Sequence, residues 1–361
     1  MRKNLDQYIG CILGGAIGDA LGAPIEFMSA EEIFARFGSR GVQQYVEHED
    51  GRGEFTDDTQ MLLFTAEGLL RAWQRSVAKG IGGAEVSITW HSYLRWLKTQ
   101  GYEKPAGVQT HGFEDGWLIH RRELHQQRAP GNTCLAALRS GKMGTVKEPI
   151  NNSKGCGTVM RIAPVGLVFT HDPELAFIKG MEFSAITHGH PSGYLSGGVL
   201  AMVFALMVRG DNLENAIEKC LQILPRFEGH EETKSAVLNA IEIHREFEGK
   251  DISYKEIESL GGAWVAEEAL AISLLCALHY PHDFEKAVLT AVNHSGDSDS
   301  TGAITGNLVG YMVGERGIPE NWIRDLMNAH IVRQIGEDLH TGVKGGTYTV
   351  DDEWWSKYPG Y

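Results

Sequence analysis

At 361 residues, 42% of them hydrophobic, the chain carries enough apolar side chain for a large globular core, in one big domain or two. Its 33 basic residues against 47 acidic leave a net charge of −14, which argues against non-specific adhesion to nucleic acid or to an anionic membrane. Five cysteines, Cys11, Cys134, Cys156, Cys220 and Cys276, are scattered without a CxxC pair, so no disulfide framework or zinc knuckle is expected, and a reducing, cytoplasmic setting is.

In chain order, the first element is an apolar stretch from Ile9 to Ala23, behind Arg2 and Lys3. Asp6 stands just before it and Asp19 interrupts it, and Gly10, Gly14, Gly18 and Gly22 recur every four residues, so it reads as a closely packed helix face and not as a secretion signal. Residues Val42 to Val46 have the pattern of a short strand. Thr56-Asp57-Asp58-Thr59 then opens a helix whose Leu62, Ala66, Leu69, Leu70 and Trp73 share one face. Gly and Pro mark loops at 101–107, 128–133 and 141–157. Helical periodicity returns over 199–208, 213–224, 263–278 and 284–292. After Asp297-Ser298-Asp299-Ser300-Thr301, a further helix carries a second ladder, Gly302, Gly306, Gly310 and Gly314. The polar, aromatic tail over 342–361 has room for a short strand at 347–350. No stretch beyond the first approaches the apolar length that crosses a bilayer. These elements describe an all-α protein, a single helical bundle over residues 1–361 with few or no strands.

Glycine inside a helix costs about 1 kcal/mol relative to alanine, so two four-rung ladders imply close backbone crossings that offset the loss. Such crossings would hold the two acidic clusters near each other. Carboxylates set beside hydroxyls are hard oxygen donors of the kind Mg²⁺ or Mn²⁺ takes, whereas Zn²⁺ favours His or Cys. Helix capping competes with this reading, because Asp, Ser and Thr also serve orphan N–H groups at the positive end of the helix dipole. A capping box, however, needs only one N-cap residue and one acid three positions on.

Six motifs stand in order: Gly14-Gly15-Ala16-Ile17-Gly18-Asp19-Ala20-Leu21-Gly22-Ala23-Pro24-Ile25-Glu26, Thr56-Asp57-Asp58-Thr59, Gly155-Cys156-Gly157-Thr158-Val159-Met160-Arg161, Thr187-His188-Gly189-His190-Pro191, Trp264-Val265-Ala266-Glu267-Glu268-Ala269-Leu270 and Gly296-Asp297-Ser298-Asp299-Ser300-Thr301-Gly302. Over roughly the first 320 residues the series resembles the ADP-ribosylglycohydrolase family, related to the dinitrogenase-reductase-activating glycohydrolase. That resemblance implies an orthogonal all-α bundle with two Mg²⁺ or Mn²⁺ ions, which removes ADP-ribose from modified proteins, commonly from arginine. It further implies that Thr56, Asp57 and Asp58 bind metal from one side and Asp297, Asp299 and Ser300 from the other, with Asp299 shared. Glu26, Asp58 and Asp299 would be catalytic, Glu26 as a group that orients water or accepts its proton. Gly155, Cys156, Gly157 and Thr158 would cradle the diphosphate, and His188 would border the substrate cleft.

The chemistry is coherent with these residue types. Cleavage at an anomeric carbon passes through an oxocarbenium-like centre and needs a positioned water and a base for its proton. A metal pair orients ribose hydroxyls and lowers the pKa of water. Glycines at 155 and 157 would let backbone N–H groups approach phosphate oxygens, and Arg161 would add charge, although a short Gly-rich run is also an ordinary turn. Asp19 is read as a carboxylate capping a neighbouring helix, Glu267 and Glu268 as a solvated helix face, and the histidines at 91, 111, 120 and 125 as surface residues. Family members often carry an acid where this chain has Ala129, which leaves the proton-transfer scheme and the linked amino acid open. Trp354 and Trp355 in the tail either anchor a partner or pack back on the bundle. Two rival functions remain: a hydrolase of free ADP-ribose derivatives or pyrophosphates, and an immunity-type protein that blocks an ADP-ribosylating toxin by binding it.

Overall fold

The structure, a computed structural model, describes residues 2–109, 114–344 and 352–360. Seventeen α-helices succeed one another along these residues, with short 3₁₀ turns between some of them. They are α1 (Arg2–Gly22), α2 (Ala30–Phe37), α3 (Asp57–Lys79), α4 (Glu85–Thr99), α5 (Asn132–Arg139) and α6 (Ala163–Val168). There follow α7 (Pro173–Ala185), α8 (Pro191–Arg209), α9 (Leu213–Ile223), α10 (Glu231–Glu246), α11 (Tyr254–Glu258) and α12 (Ala266–His279). The last are α13 (Phe284–Val292), α14 (Ser298–Val313), α15 (Glu320–Asp325), α16 (Ala329–Lys344) and α17 (Asp352–Lys357). The all-α expectation holds: extended pairing among the described residues is confined to the isolated bridges Gly53–Leu326 and Gly155–Val265. Val42–Val46 is irregular, because no second strand lies beside it among the described residues; Asn293 bonds its backbone instead, from Val42 N to Oδ1 at 2.7 Å. The strand expected at 347–350 lies outside the described residues.

The centre of the bundle is the antiparallel crossing of α1 and α14. A Cβ added at Gly10, Gly14 or Gly18 would overlap the carbonyl oxygen of Gly310, Gly306 or Gly302, and the reverse substitutions would overlap the carbonyl oxygens of Gly10, Gly14 and Gly18. Helices in such contact exchange dispersion between backbones, which the absence of side chains permits. Gly314 also meets α1, its carbonyl carbon 2.6 Å from a Cβ added at Gly10, and it ends α14 with φ of 74°, left-handed backbone where glycine carries no Cβ penalty. Asn307 locks the crossing further, its Nδ2 donating to Cys11 O at 2.7 Å.

Other helices enclose this pair. The apolar face expected on α3 is buried at Leu62, Ala66, Leu69 and Leu70, but Trp73 is 38% exposed. Contrary to the sequence expectation, α8 as well as the first helix is long and apolar enough to span a bilayer; 83% of that window in α8 and 89% in the first helix is buried inside the protein. One continuous apolar cluster runs from Tyr8 through α8 and α12 to Tyr358. The tail packs back: the Tyr358 hydroxyl and Lys357 ammonium both engage Asp338, and Trp354 meets the Tyr358 ring edge-on at 4.9 Å.

Gly306→Ala is expected to destabilise the fold by about 1–3 kcal/mol, the range for forced overpacking. Urea titration checks this, with Gly82→Ala, where a Cβ meets nothing closer than 3.6 Å, as the near-neutral control.

Candidate metal centre and cleft

Three segments converge on one point because α1 fixes two of them. Asp19, fully buried on α1, accepts from Thr56 N at 2.8 Å, Thr59 N at 3.0 Å and Thr59 Oγ1 at 2.6 Å. It therefore caps the start of α3, as its sequence reading had it. The glycine ladder meanwhile sets the start of α14 against the end of α1, where a Cβ on Gly22 would press on Ser298. Asp57 and Asp58 occupy the first turn of α3, and Asp297 and Asp299 the N-cap and first turn of α14. Two helix N-termini thus present their positive dipole ends to the same carboxylates.

Hydrogen bonds tie the clusters across the chain. Thr56 Oγ1 donates to Asp299 Oδ2 at 3.3 Å, and Ser300 Oγ donates to Asp58 Oδ2 at 2.8 Å, between residues 243 and 242 positions apart. Gly131 N donates to Asp57 Oδ2 at 3.1 Å, and Cys156 Sγ to Asp297 Oδ2 at 2.7 Å. Glu26, just past the turn that ends α1, brings a carboxylate oxygen within 4.8 Å of oxygens on both Asp297 and Asp299. Thr56 and Asp297 also cap their helices, so the capping reading and the clustering are both observed.

No Lys, Arg or His forms an ion pair with these carboxylates among the described residues; their partners are hydroxyls, amides and one thiol. Burial, and then the mutual repulsion of the acids, pushes Asp57, Asp58 and Asp297 well above the usual carboxylate range. Asp19 rises to about 7 and Glu26 to about 9 from the same two causes, and burial raises Asp299. A buried set of oxygen donors short of positive charge suits a hard divalent cation: Glu26, Asp297 and Asp299 have oxygens close enough to share one, and Thr56, Asp58 and Ser300 are hydrogen-bonded into the same cluster.

A cleft of about 330 Å³ opens onto these groups, lined also by Gly155, Cys156, Gly157 and His188. Larger grooves of about 830 and 750 Å³ lie elsewhere on the surface. Thr158 does not line the cleft: it is fully buried and its hydroxyl turns back towards Gly155 O. Both glycines stand close to His188: a Cβ at Gly155 would lie 3.2 Å from Nε2, and one at Gly157 3.1 Å from Cε1 and 3.0 Å from Cys134 Sγ. Two loop amides are already engaged, Gly155 N with Ser153 Oγ and Cys156 N with Trp264 O. Arg161 is not in the cleft but buried behind it, bonded to Thr187 Oγ1 at 2.7 Å.

Several expectations are corrected. Glu267 is buried and paired with Lys154, and Glu268 accepts from Gly262 N and Ala263 N, so neither belongs to a solvated face. His91 is half-buried, His120 and His125 are exposed, and His111 lies outside the described residues. Ala129 lines the cleft with φ of 52°. Sequence reasoning missed the aromatic rim: Phe27, 78% exposed, stacks on Trp264 at 5.7 Å and 19°. Phe27 directly follows Glu26, and that adjacency was its one available signal.

Known proteins match this chain along most of its length. A profile of the family described as ADP-ribosylglycohydrolase covers residues 1–347. An ADP-ribosyl-[dinitrogen reductase] glycohydrolase of Rhodospirillum rubrum is 25% identical over 91% of this chain and 94% of its own. An ADP-ribosylarginine hydrolase, Tri1, of Serratia proteamaculans is 24% identical over 93% of this chain and 80% of its own. A solved ADP-ribosylglycohydrolase-related protein complex shares the fold, with a TM-score of 0.66 at 23% identity over 95% of this chain and all of its own.

The raised carboxyls predict how stability varies with pH. Their folded pKa values exceed the unfolded ones, so they favour the folded state below about pH 4, and that contribution is lost as pH rises through about 7 for Asp19 and about 9 for Glu26. In EDTA the melting temperature should fall from pH 5 to pH 9, and Mg²⁺ or Mn²⁺ should restore it most at the alkaline end. Differential scanning calorimetry at each pH measures both.

Proposed function

The chain belongs to the ADP-ribosylglycohydrolase family, and on that premise we propose that it hydrolyses the N-glycosidic bond between ADP-ribose and a modified protein side chain, with arginine as the linked residue. The observation that carries the reading is the meeting of Asp57 and Asp58 with Asp297, Asp299 and Glu26 at the floor of one cleft. The names of the Rhodospirillum and Serratia relatives, a dinitrogen reductase glycohydrolase and an ADP-ribosylarginine hydrolase, support the bond and the linkage. Five unpaired cysteines support a reducing compartment such as the cytoplasm.

Thr56, Asp57, Asp58, Asp297, Asp299 and Ser300, with Glu26 beside them, would hold two Mg²⁺ or Mn²⁺ ions. Such ions supply charge neutralisation, orientation of the ribose hydroxyls and a water of lowered pKa. The rest falls to the chain. Glu26 holds a proton in the crowded cluster on its own, and with the surrounding charge neutralised it is the carboxylate placed to take the proton of the attacking water. Asp58 is held in place by Ser300, and Asp299 by Thr56 and by the Ser300 N–H, so both keep a fixed orientation towards the sugar. His188 offers a polar contact for the diphosphate, with Gly155 and Gly157 keeping the approach clear. Phe27 and Trp264 form an apolar rim where a base or the modified protein would lie.

Incubation with ADP-ribosyl-arginine protein should release intact ADP-ribose in a reaction that EDTA stops and Mg²⁺ or Mn²⁺ restores. Glu26→Gln is expected to lower kcat by about 10²–10⁴-fold, the usual worth of a positioned base. Mass spectrometry of the products decides the bond: AMP in place of ADP-ribose would sink the glycosidic reading. An Asp57→Ala, Asp299→Ala double variant that lost turnover yet still protected cells from an ADP-ribosylating toxin would establish the binding role instead.

A further inference from the structure

Arg161 is a fully buried guanidinium, and among the described residues no carboxylate pairs with it. Its carbon lies 4.6 Å from the Tyr93 ring centroid, and its Nη1 reaches the sulfurs of Met61 and Cys134. The short bond it makes runs from Nη2 to Thr187 Oγ1 at 2.7 Å, and the same oxygen lies 2.8 Å from His188 Nδ1. A guanidinium only donates, so Thr187 Oγ1 accepts from Arg161 and has a single hydrogen to give. Of its two remaining neighbours, the imidazole nitrogen is a strong acceptor and the Cys134 sulfur a weak one. Given to Nδ1, that hydrogen leaves the one ring N–H on Nε2, the atom that faces Gly155 at the cleft wall.

We propose that Arg161, acting through the Thr187 hydroxyl, fixes His188 as the neutral tautomer protonated on Nε2 and so directs a permanent N–H donor into the cleft. Burial, and then the Arg161 charge, pushes His188 down to about 3, in keeping with an imidazole that stays neutral. The donor's use, a hydrogen bond to an anionic oxygen of the diphosphate, rests on the function proposed above; the tautomer itself does not. Arg161 lines no part of the cleft, so it is a positioning residue. A bare lone pair on Nε2 would repel the same oxygen, and the cation behind Thr187 polarises the relay towards donation.

The test is a two-bond ¹H–¹⁵N correlation spectrum of the full chain labelled at histidine, with the His188 signals assigned by their loss in His188→Gln. The wild type should show an unprotonated Nδ1 and a protonated Nε2. Thr187→Val, which keeps the volume and removes the relay, should show a tautomer mixture, and Thr187→Ser should restore the wild-type pattern; circular dichroism checks that each variant is folded. A wild-type Nδ1–H, with the Thr187 hydrogen turned to Cys134, or an unchanged tautomer in Thr187→Val, overturns the assignment. Calorimetry with ADP-ribose in Mg²⁺ tests the donor: Kd should rise about tenfold in Thr187→Val and recover in Thr187→Ser, the scale of one hydrogen bond. An unchanged Kd beside a shifted tautomer overturns the donor role. Absence of ADP-ribose binding in the wild type overturns the proposed function, while the spectrum still decides the tautomer.

Discussion

Everything at the candidate site depends on two helices touching backbone to backbone. Where α1 crosses α14, the glycines at 10, 14 and 18 face those at 310, 306 and 302, and no side chain intervenes. That closeness brings the start of α14, with Asp297 and Asp299, beside the end of α1 and the Glu26 turn that follows it. Asp19, one position beyond the ladder glycine at 18, reaches out of the same helix to hold the start of α3. A crossing widened by one methyl group would separate oxygens that now sit within hydrogen-bond reach of each other. The free energy lost by using glycine in helices, roughly 1 kcal/mol a residue, is offset by what the crossing brings together.

The same protein shows how it neutralises a buried acid when no ligand is wanted. Glu67, fully buried on α3, accepts from Arg95 Nη2 at 3.1 Å and from the backbone N–H groups of Trp117 and Leu118, both at 2.9 Å. Every lone pair has a donor and the charge has a counter-charge, which is what burial of a carboxylate demands. Ten and nine residues earlier on that helix, Asp57 and Asp58 lie among further acids with no such counter-charge among the described residues. Carboxyls without a cationic partner at one end of α3, and complete compensation in its middle, are the contrast that supports the proposed cation site.

Much of this was legible in the sequence, for a physical reason. A step of four in glycine and a run of acids mixed with hydroxyls are local patterns, and both the crossing and the clusters are built from local patterns. What escaped was set by contacts distant in sequence. Arg161 stands in a glycine-rich motif and reads as a phosphate contact, yet the packing of α7 and Tyr93 places it behind His188. Glu267 reads as a surface acid until Lys154, 113 residues away, is brought against it. Residues 42–46 alternate like a strand, but alternation forms a ladder only when a second strand is present, and Asn293 takes that backbone instead. The apolar length of α8 was underread because its polar neighbours masked a helix whose whole circumference is enclosed.

The cleft has two unlike walls. On one side buried carboxylates lack cations; on the other a buried guanidinium lacks a carboxylate and stands behind a neutral histidine. Moved next to each other, these groups would have paired and cancelled, as Arg95 and Glu67 do. Kept apart, each wall is left with a chemistry of its own, and under the proposed function the substrate would set anionic oxygens against the histidine wall and hydroxyls against the acids. An ADP-ribosyl group, with its diphosphate in the middle and its ribose hydroxyls at the scissile end, has that order of chemistry along its length. The separation of cation-poor acids from an unpaired guanidinium within one site is what supports the proposed function at both ends of its substrate.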